Sequence, residues 1–376
     1  MKCFRKLFLL FCCLIFTTGC WDQKLLKDLK LVFTVGFDLE ENRDILTTIA
    51  IRETTRAKKG GGQGEAIPVV IDGRGKTVRE TRLNIERKST GEFSPSKTRI
   101  YLLGEELARE DLYSIFDVLY RDAHAPLGAK VVITQNRASD IIHMKFIAES
   151  LMSEGLSGIL QSSEDDSFIK QETVQTICPI LFDSGVDFAL PVLAQDGPGT
   201  VQVIGMGLIS DKVFTGTTIT TDDSTLMLIL NDVKSKKAQF QFLINENEEN
   251  FRDQFITLNV KKFKRDMKVN ADSPSTIEAK IDLTLHLVVT EYPHDELMDY
   301  TYVKEIEKQL EPLFVQKAKS IIEVLQENNC DLFGIGQKVR SYHTETWDQI
   351  DWRETYPNIT IEPNIHVKIV GTGLIK

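Results

Sequence analysis

Residues 277–287 alternate without a fault. Ile277, Ala279, Ile281, Leu283, Leu285, Leu287 and Val289 take one register, and Glu278, Lys280, Asp282, Thr284 and His286 take the other. A period of two predicts a long strand with one buried face. Ile256, Leu258 and Val260 repeat the pattern earlier, and Ile359, Ile361, Ile365, Val367 and Ile369 repeat it near the end. Between these runs Ile306, Leu310, Leu313, Phe314, Ala318, Ile321 and Leu325 recur at three and four, which predicts an amphipathic helix over 302–328. Pro312 falls inside it without the amide proton an unbroken helix uses, so a kink is expected there, or a restart with Pro312 in the first turn.

The first half is patterned differently. Apolar runs at 31–37, 45–51, 67–71, 99–103 and 130–134 read as strands, and helical spacing appears at 77–88, 105–121 and 138–146. That alternation predicts an α/β-like layer. Lys58-Lys59-Gly60-Gly61-Gly62-Gln63-Gly64 reads as a surface loop, because consecutive glycines are costly to hold in one conformation. Residues 152–182 read as mostly helical with a polar break at 162–166. Pro191 with Asp196-Gly197-Pro198-Gly199 marks the expected linker over 185–199. The expected fold class is therefore α+β, with a mixed N-terminal domain over 20–190 and, over 191–376, a mostly antiparallel sheet carrying one long helix. A small middle subdomain around 185–220 is compatible with the same punctuation.

The first 20 residues stand outside this pattern. Lys2, Arg5 and Lys6 precede an apolar run over 7–16. About 20 apolar residues are needed to cross a hydrocarbon layer of roughly 30 Å, so the run reads as the core of a secretory signal, residues 1–19. Thr17-Thr18-Gly19-Cys20 resembles the bacterial lipobox, in which small residues precede a cysteine that is acylated and becomes the mature N-terminus. The alternative is an ordinary signal cut with a coincidental cysteine. Trp21 suits the headgroup level of a bilayer and equally suits packing on the body.

Composition narrows the class. The 376 residues are 42% hydrophobic and 27% charged, with 23 glycines and 11 prolines, which excludes wholesale disorder and collagen-like chains. A mean hydropathy of −0.15 excludes a polytopic membrane protein. The net charge of −10 becomes −13 once residues 1–19 are set aside, leaving 42 basic against 55 acidic residues, so nucleic acid is not an expected partner. Of six cysteines only Cys178 and Cys330 lie in the body, either as one bridge or as two buried thiols.

Candidate chemistry is sparse. Gly73-Arg74-Gly75-Lys76-Thr77 lacks the first glycine of a phosphate-binding loop, since Val70 stands in its place; Thr77 with Glu80 reads instead as a capping box. His124, His143, His286, His294, His343 and His366 show no zinc spacing with each other or with the cysteines. Gly155-Leu156-Ser157-Gly158 has the wrong spacing for a nucleophile elbow, and Glu105-Glu106 reads as a solvated face. His294-Asp295-Glu296 and Asp331 suit a cation or partner and equally a turn or cap. No catalytic residue, cofactor or metal is assigned, and the chain is read as non-enzymatic.

Four clusters carry a family resemblance: Cys20-Trp21-Asp22 with Gly36-Phe37-Asp38; Gly75-Lys76-Thr77-Val78 with Gly104 to Arg109 and Arg121-Asp122; Gly205 to Leu208 with Asp211-Lys212 and Gly216; and Asp331-Leu332-Phe333-Gly334-Ile335-Gly336 with Trp347, Trp352, Tyr356-Pro357 and Gly373. In these the chain resembles the Ger(x)C family, the lipoprotein C subunits of bacterial spore germinant receptors. The fourth cluster reads as a helix exit in which Asp331 caps, Phe333 plugs, and Gly334 and Gly336 take conformations closed to other residues. Trp347 and Trp352 read as core, or as a subunit interface. The resemblance implies a subunit tethered through Cys20 to the outer face of the inner spore membrane. Its implied partners are an A subunit with a cytosolic domain and membrane helices and a B subunit resembling an amino-acid transporter. An alternative is a ligand-capturing lipoprotein whose two lobes hinge near 185–199 and pass a nutrient to a membrane partner.

Overall fold

The computed structural model describes residues 29–54, 66–89, 92–144, 152–246, 248–294 and 297–372. Thr17, Thr18, Gly19, Cys20, Trp21, the glycine-rich loop at 58–64 and Gly373 lie outside them. Among the described residues two sheets form, one of nine strands and one of four.

The large sheet opens with β1 (Leu29–Leu39), β2 (Ile45–Thr54) and β3 (Ala66–Gly75), an antiparallel meander whose first turn spans Glu40 to Asp44. A short β4 (Glu92–Ser94) pairs with β1 alone. Parallel strands β5 (Ile100–Gly104) and β6 (Lys130–Thr134) follow on the other side of β1, then β7 (Phe188–Gln195), β8 (Val201–Ser210) and β9 (Val213–Thr220). Every residue of β5 is buried, as expected of a central strand covered on both faces. One face carries α1 (Val78–Glu86), α2 (Glu105–Ala108), α3 (Leu112–Arg121) and α6 (Val174–Leu181); the other carries α4 (Ala138–His143) and α5 (Met152–Asp165).

Several expectations change here. The expected boundary between 190 and 191 falls inside β7, and the large sheet runs on to Thr220. The stretch expected as a linker is a buried strand, with Asp196 to Thr200 as the tight turn into β8. Pro191 is tolerated because the ladder with β6 begins one residue later, at Val192. A hinge at 185–199 is therefore absent. The helix expected over 105–121 is two, because Asp111 caps a fresh start by accepting from the Tyr113 amide at 2.9 Å. The polar stretch 162–165 continues α5, and the break comes after Asp165.

After α7 (Thr221–Leu230) the second sheet forms from β10 (Gln239–Leu243), β11 (Phe255–Ser273), β12 (Thr276–Glu291) and β13 (Thr360–Gly371). Its first three strands are antiparallel and β13 is parallel to β12. The alternating apolar residues of β12 are all buried, packing beneath α8 (Tyr300–Glu327). That helix passes through Pro312 as one element, so no restart occurs. Glu311 and Glu307 of α8 accept from the Val367 and Ile369 amides of β13 at 3.1 and 2.8 Å, which blunts an otherwise open sheet edge. Short helices α9 (Ile335–Tyr342), α10 (Thr344–Trp347) and α11 (Trp352–Thr355) lead into β13. One apolar core runs from Ile100 and Leu102 of the large sheet through α7 to Phe314, Tyr356 and Val367, so the two sheets share it.

Candidate functional site

The residues that carry the family resemblance fold into three joints. At the first, Asp38 at the end of β1 accepts from the Ala138 and Ser139 amides at 2.7 and 2.9 Å, capping α4 across about a hundred residues of sequence. Burial raises the Asp38 carboxyl above its ordinary range, while the two amides and Arg137 pull it back. In the second cluster Thr77 accepts from the Glu80 amide at 3.2 Å and Glu80 accepts from the Lys76 amide at 2.8 Å. The cap thus reaches one residue further back than the box expected, and both amides are already occupied. At the second joint Arg109 pairs with Glu105 at 2.7 Å and lies over the Phe214 ring. Gly216, at φ 88°, leaves the space that this guanidinium fills: a Cβ there would stand 2.5 Å from it.

The third joint is a buried polar cluster at the exit of α8. Arg353 donates to both oxygens of Asp187 at 2.7 Å, a bidentate pair, and reaches the Asn329 carbonyl at 3.1 Å. Asp187 and Asp331 exchange contacts: the Asp331 amide donates to the Asp187 carboxylate and the Asp187 amide to the Asp331 carbonyl, each at 2.9 Å. The Asp331 carboxylate accepts from the Ile335 and Gly336 amides at 3.0 and 2.8 Å and from Trp352 Nε1 at 3.2 Å. Asp331 therefore caps the entry to α9, whereas the helix-exit reading had it capping at the end of α8. Gly334 is left-handed, at φ 65°; Gly336 is required for space instead, since a Cβ would stand 2.5 Å from Trp352 Nε1.

The chemistry of this joint is restrained. Burial pushes Asp331 up to about 7 against its three N–H donors. Burial, with Asp187 and Asp331 close by, raises the Cys330 thiol well above its ordinary value, which lowers its thiolate fraction. Tyr356 is raised likewise and donates to the Cys330 carbonyl at 3.1 Å. Both Cys178 and Cys330 are free thiols, Cys178 half-buried and Cys330 buried. Trp352 is core, and Trp347 packs beside it with ring centroids 5.8 Å apart. Asp187 and Arg353 were not marked by sequence reasoning: 166 residues separate them, and no local spacing signals such a pair.

Two cavities adjoin these joints. One of about 210 Å³ lies beside the third, lined by Lys170, Glu172, Asp187, Asn231, Phe333 and Gln337. Its Lys170–Glu172 pair closes at 2.6 Å and Thr176 also donates to Glu172, so its charges are matched internally. The other, about 90 Å³, is apolar and lies between α1, α3 and the sheet. His294 bonds to Asn245 and to the Asp253 carbonyl, while Asp295 and Glu296 lie outside the described residues. His286 and His366 sit on the polar registers of β12 and β13 as expected, His286 half-buried and His366 exposed. Among the described residues no group of three or more His, Cys, Asp or Glu could hold a metal, and no helix is long and apolar enough to cross a membrane.

Comparison with known proteins accounts for both halves. Residues 22–195 match the family model described as the spore germination protein N-terminal domain, and residues 204–373 match the one described as spore germination B3/GerAC like, C-terminal. The Bacillus subtilis spore germination protein KC is 22% identical over 95% of this chain and 92% of its own length. Spore germination protein B3 of the same organism is 20% identical over the full length of both chains. A shorter match, 27% identical over 39% of the chain, spans only 38% of the B. subtilis protein YfkR. The crystal structure of the GerBC protein shares the fold, with a TM-score of 0.57 at 14% identity over 89% of this chain and 96% of that one.

Proposed function

The chain belongs to the spore germination family that these two domains define, and on that premise we propose that it is the lipid-anchored, non-enzymatic C subunit of a spore germinant receptor. The observation that carries this reading is the pairing of both domains in one chain, spanning residues 22–195 and 204–373 and matching relatives end to end. In it residues 1–19 are a lipoprotein signal, Thr17-Thr18-Gly19 guide its removal, and Cys20 receives the acyl groups. The body then sits on the outer face of the inner spore membrane beside integral-membrane A and B subunits and supports their assembly or their response to nutrient.

Physical considerations favour such a tether. One acyl chain binds a bilayer only marginally, at about 0.8 kcal/mol per buried methylene, whereas two or more hold stably. Confinement beside the receptor raises the effective concentration, so the docking surface itself need not be strong. The residues that carry the family likeness serve as caps and packing joints, which fits a scaffold whose task is to hold a shape.

Cys20→Ala tests the reading in spores. The variant is expected to leave the inner-membrane fraction and to blunt the nutrient response, while mass spectrometry of the native protein finds an acylated Cys20. Undiminished membrane retention in the variant would remove the tether from the account.

A further inference from the structure

We propose that the apolar pocket between α1, α3 and the large sheet binds a short branched aliphatic carboxylate. The cavity is about 90 Å³. Apolar cavities of roughly 150 Å³ hold benzene, so this one suits a branched group of a few carbons and excludes an aromatic ring. Its floor is Val35, Phe37, Ile49, Ile85 and Phe93, all buried, with the ring of Tyr101 stacked on Phe37.

The two threonines of the floor are already matched. Thr47 and Thr81 bond each other at 2.6 Å, and Thr81 also donates to the Val78 carbonyl at 2.8 Å. Both threonine protons are thus committed within the wall, and the rest of the floor is almost all hydrocarbon, which favours a hydrocarbon tail over a hydroxylated one.

The mouth differs from the floor in one respect. Arg82 pairs with Glu86 at 3.0 Å and with Asp122 at 3.2 Å, and the other oxygen of Asp122 accepts from the His124 amide at 2.9 Å. The His124 amide, then Arg82, hold the Asp122 carboxyl below its usual range. Those charges are committed to one another. Arg79 lines the same mouth, is exposed, and among the described residues makes no hydrogen bond or ion pair. On a chain of net charge −10, the unmatched charge over this apolar pocket is thus a guanidinium, whose fork suits a carboxylate. An ammonium group would meet no uncommitted acid. The head that fits is a carboxylate, and the tail that fits is branched hydrocarbon.

The inference does not rest on the receptor reading, because it is tested on the purified full-length chain and the tether is tested in spores. Isovalerate is titrated by calorimetry and by saturation-transfer NMR against the full-length chain in nanodiscs, beside 3-methylbutan-1-ol, benzoate and L-leucine. Saturable isovalerate binding is expected, with the alcohol weaker by about tenfold or more, as befits loss of a charge-assisted contact. Benzoate is expected not to compete, and L-leucine to bind no tighter than isovalerate. Arg79→Gln, an exposed change that leaves the melting midpoint in place, is expected to weaken isovalerate by about the same factor and to leave the alcohol unaffected. Absence of saturation, equal affinity for acid and alcohol, indifference to Arg79→Gln, competition by benzoate, or tighter binding of L-leucine would each overturn the assignment.

Discussion

A buried carboxylate costs several kcal/mol unless its surroundings replace water, and Asp331, 1% exposed, shows how incompletely three N–H donors do so. Burial still pushes it up to about 7, well above an ordinary aspartate. The folded chain therefore holds a proton that the unfolded chain has released between about pH 4 and pH 7. By linkage, this group's contribution to stability is complete below about pH 4 and is lost as pH rises through about 7. Asp331→Asn cannot titrate, and its amide nitrogen would face either the Ile335 amide or the pair formed by the Gly336 amide and Trp352. The variant is expected to lose about 1–3 kcal/mol to that clash of donors. Its urea midpoint should also vary less between pH 5 and 8 than that of the parent. Parallel midpoint curves for the two proteins would mean that Asp331 stays ionised throughout.

At the scale of elements, α8 and the strand pair beneath it were legible because each keeps one strict period over many residues, and burial follows that period in β12 side chain by side chain. Strands β7, β8 and β9 were not. Pro191, Gly197, Gly199, Gly205, Gly207 and Gly216 punctuate them like a loop, whereas their strand character comes from pairing with partners distant in sequence. The caps formed by Thr77 and Asp331 could be foreseen from short spacings, but Asp187 with Arg353, and the carboxylates of α8 on the β13 edge, could not, since only the tertiary fold brings them together. Pro312 illustrates the same priority of packing over propensity. An interior proline costs about 3 kcal/mol, yet Leu310 and Phe314 on either side are fully buried and hold the helix in one piece. The proline ring itself is exposed, so Pro312→Ala loses little contact and restores a donor for the Lys308 carbonyl. A gain of about 1–3 kcal/mol in the denaturant midpoint is expected. A loss instead would show that Phe314 needs a bend imposed by the ring.

For the whole molecule, the family models divide the chain between 195 and 204, but the structure does not divide there. The break covers the turn between β7 and β8 and the start of β8 itself, two strands paired from Phe188 opposite Ile209 to Gln195 opposite Val201. A fragment ending at 195 keeps the β7 backbone attached on one side alone, through Ile133, Thr134 and Gln135. It also exposes Ala189 and Leu193, and it strips Ile100 and Leu102 of the core that continues into α7 and the second sheet. The complementary fragment 204–373 begins inside β8, whose buried Met206, Leu208 and Ile209 would have lost their neighbours on β7. The core beneath α1, α2, α3 and α6 takes only two buried residues, Ile209 and Phe214, from beyond residue 195, but the core on the other face of the sheet is built by both halves, so the full chain is expected to unfold in one transition, with far-UV circular dichroism and the fluorescence of Trp347 and Trp352 changing together. Fragments 22–195 and 204–373, expressed separately, are each expected to lack a cooperative melt. Fragment 22–195 melting alone near the parent's midpoint would mean that the shared core contributes little, and that the boundary drawn by the family models is a boundary of folding as well.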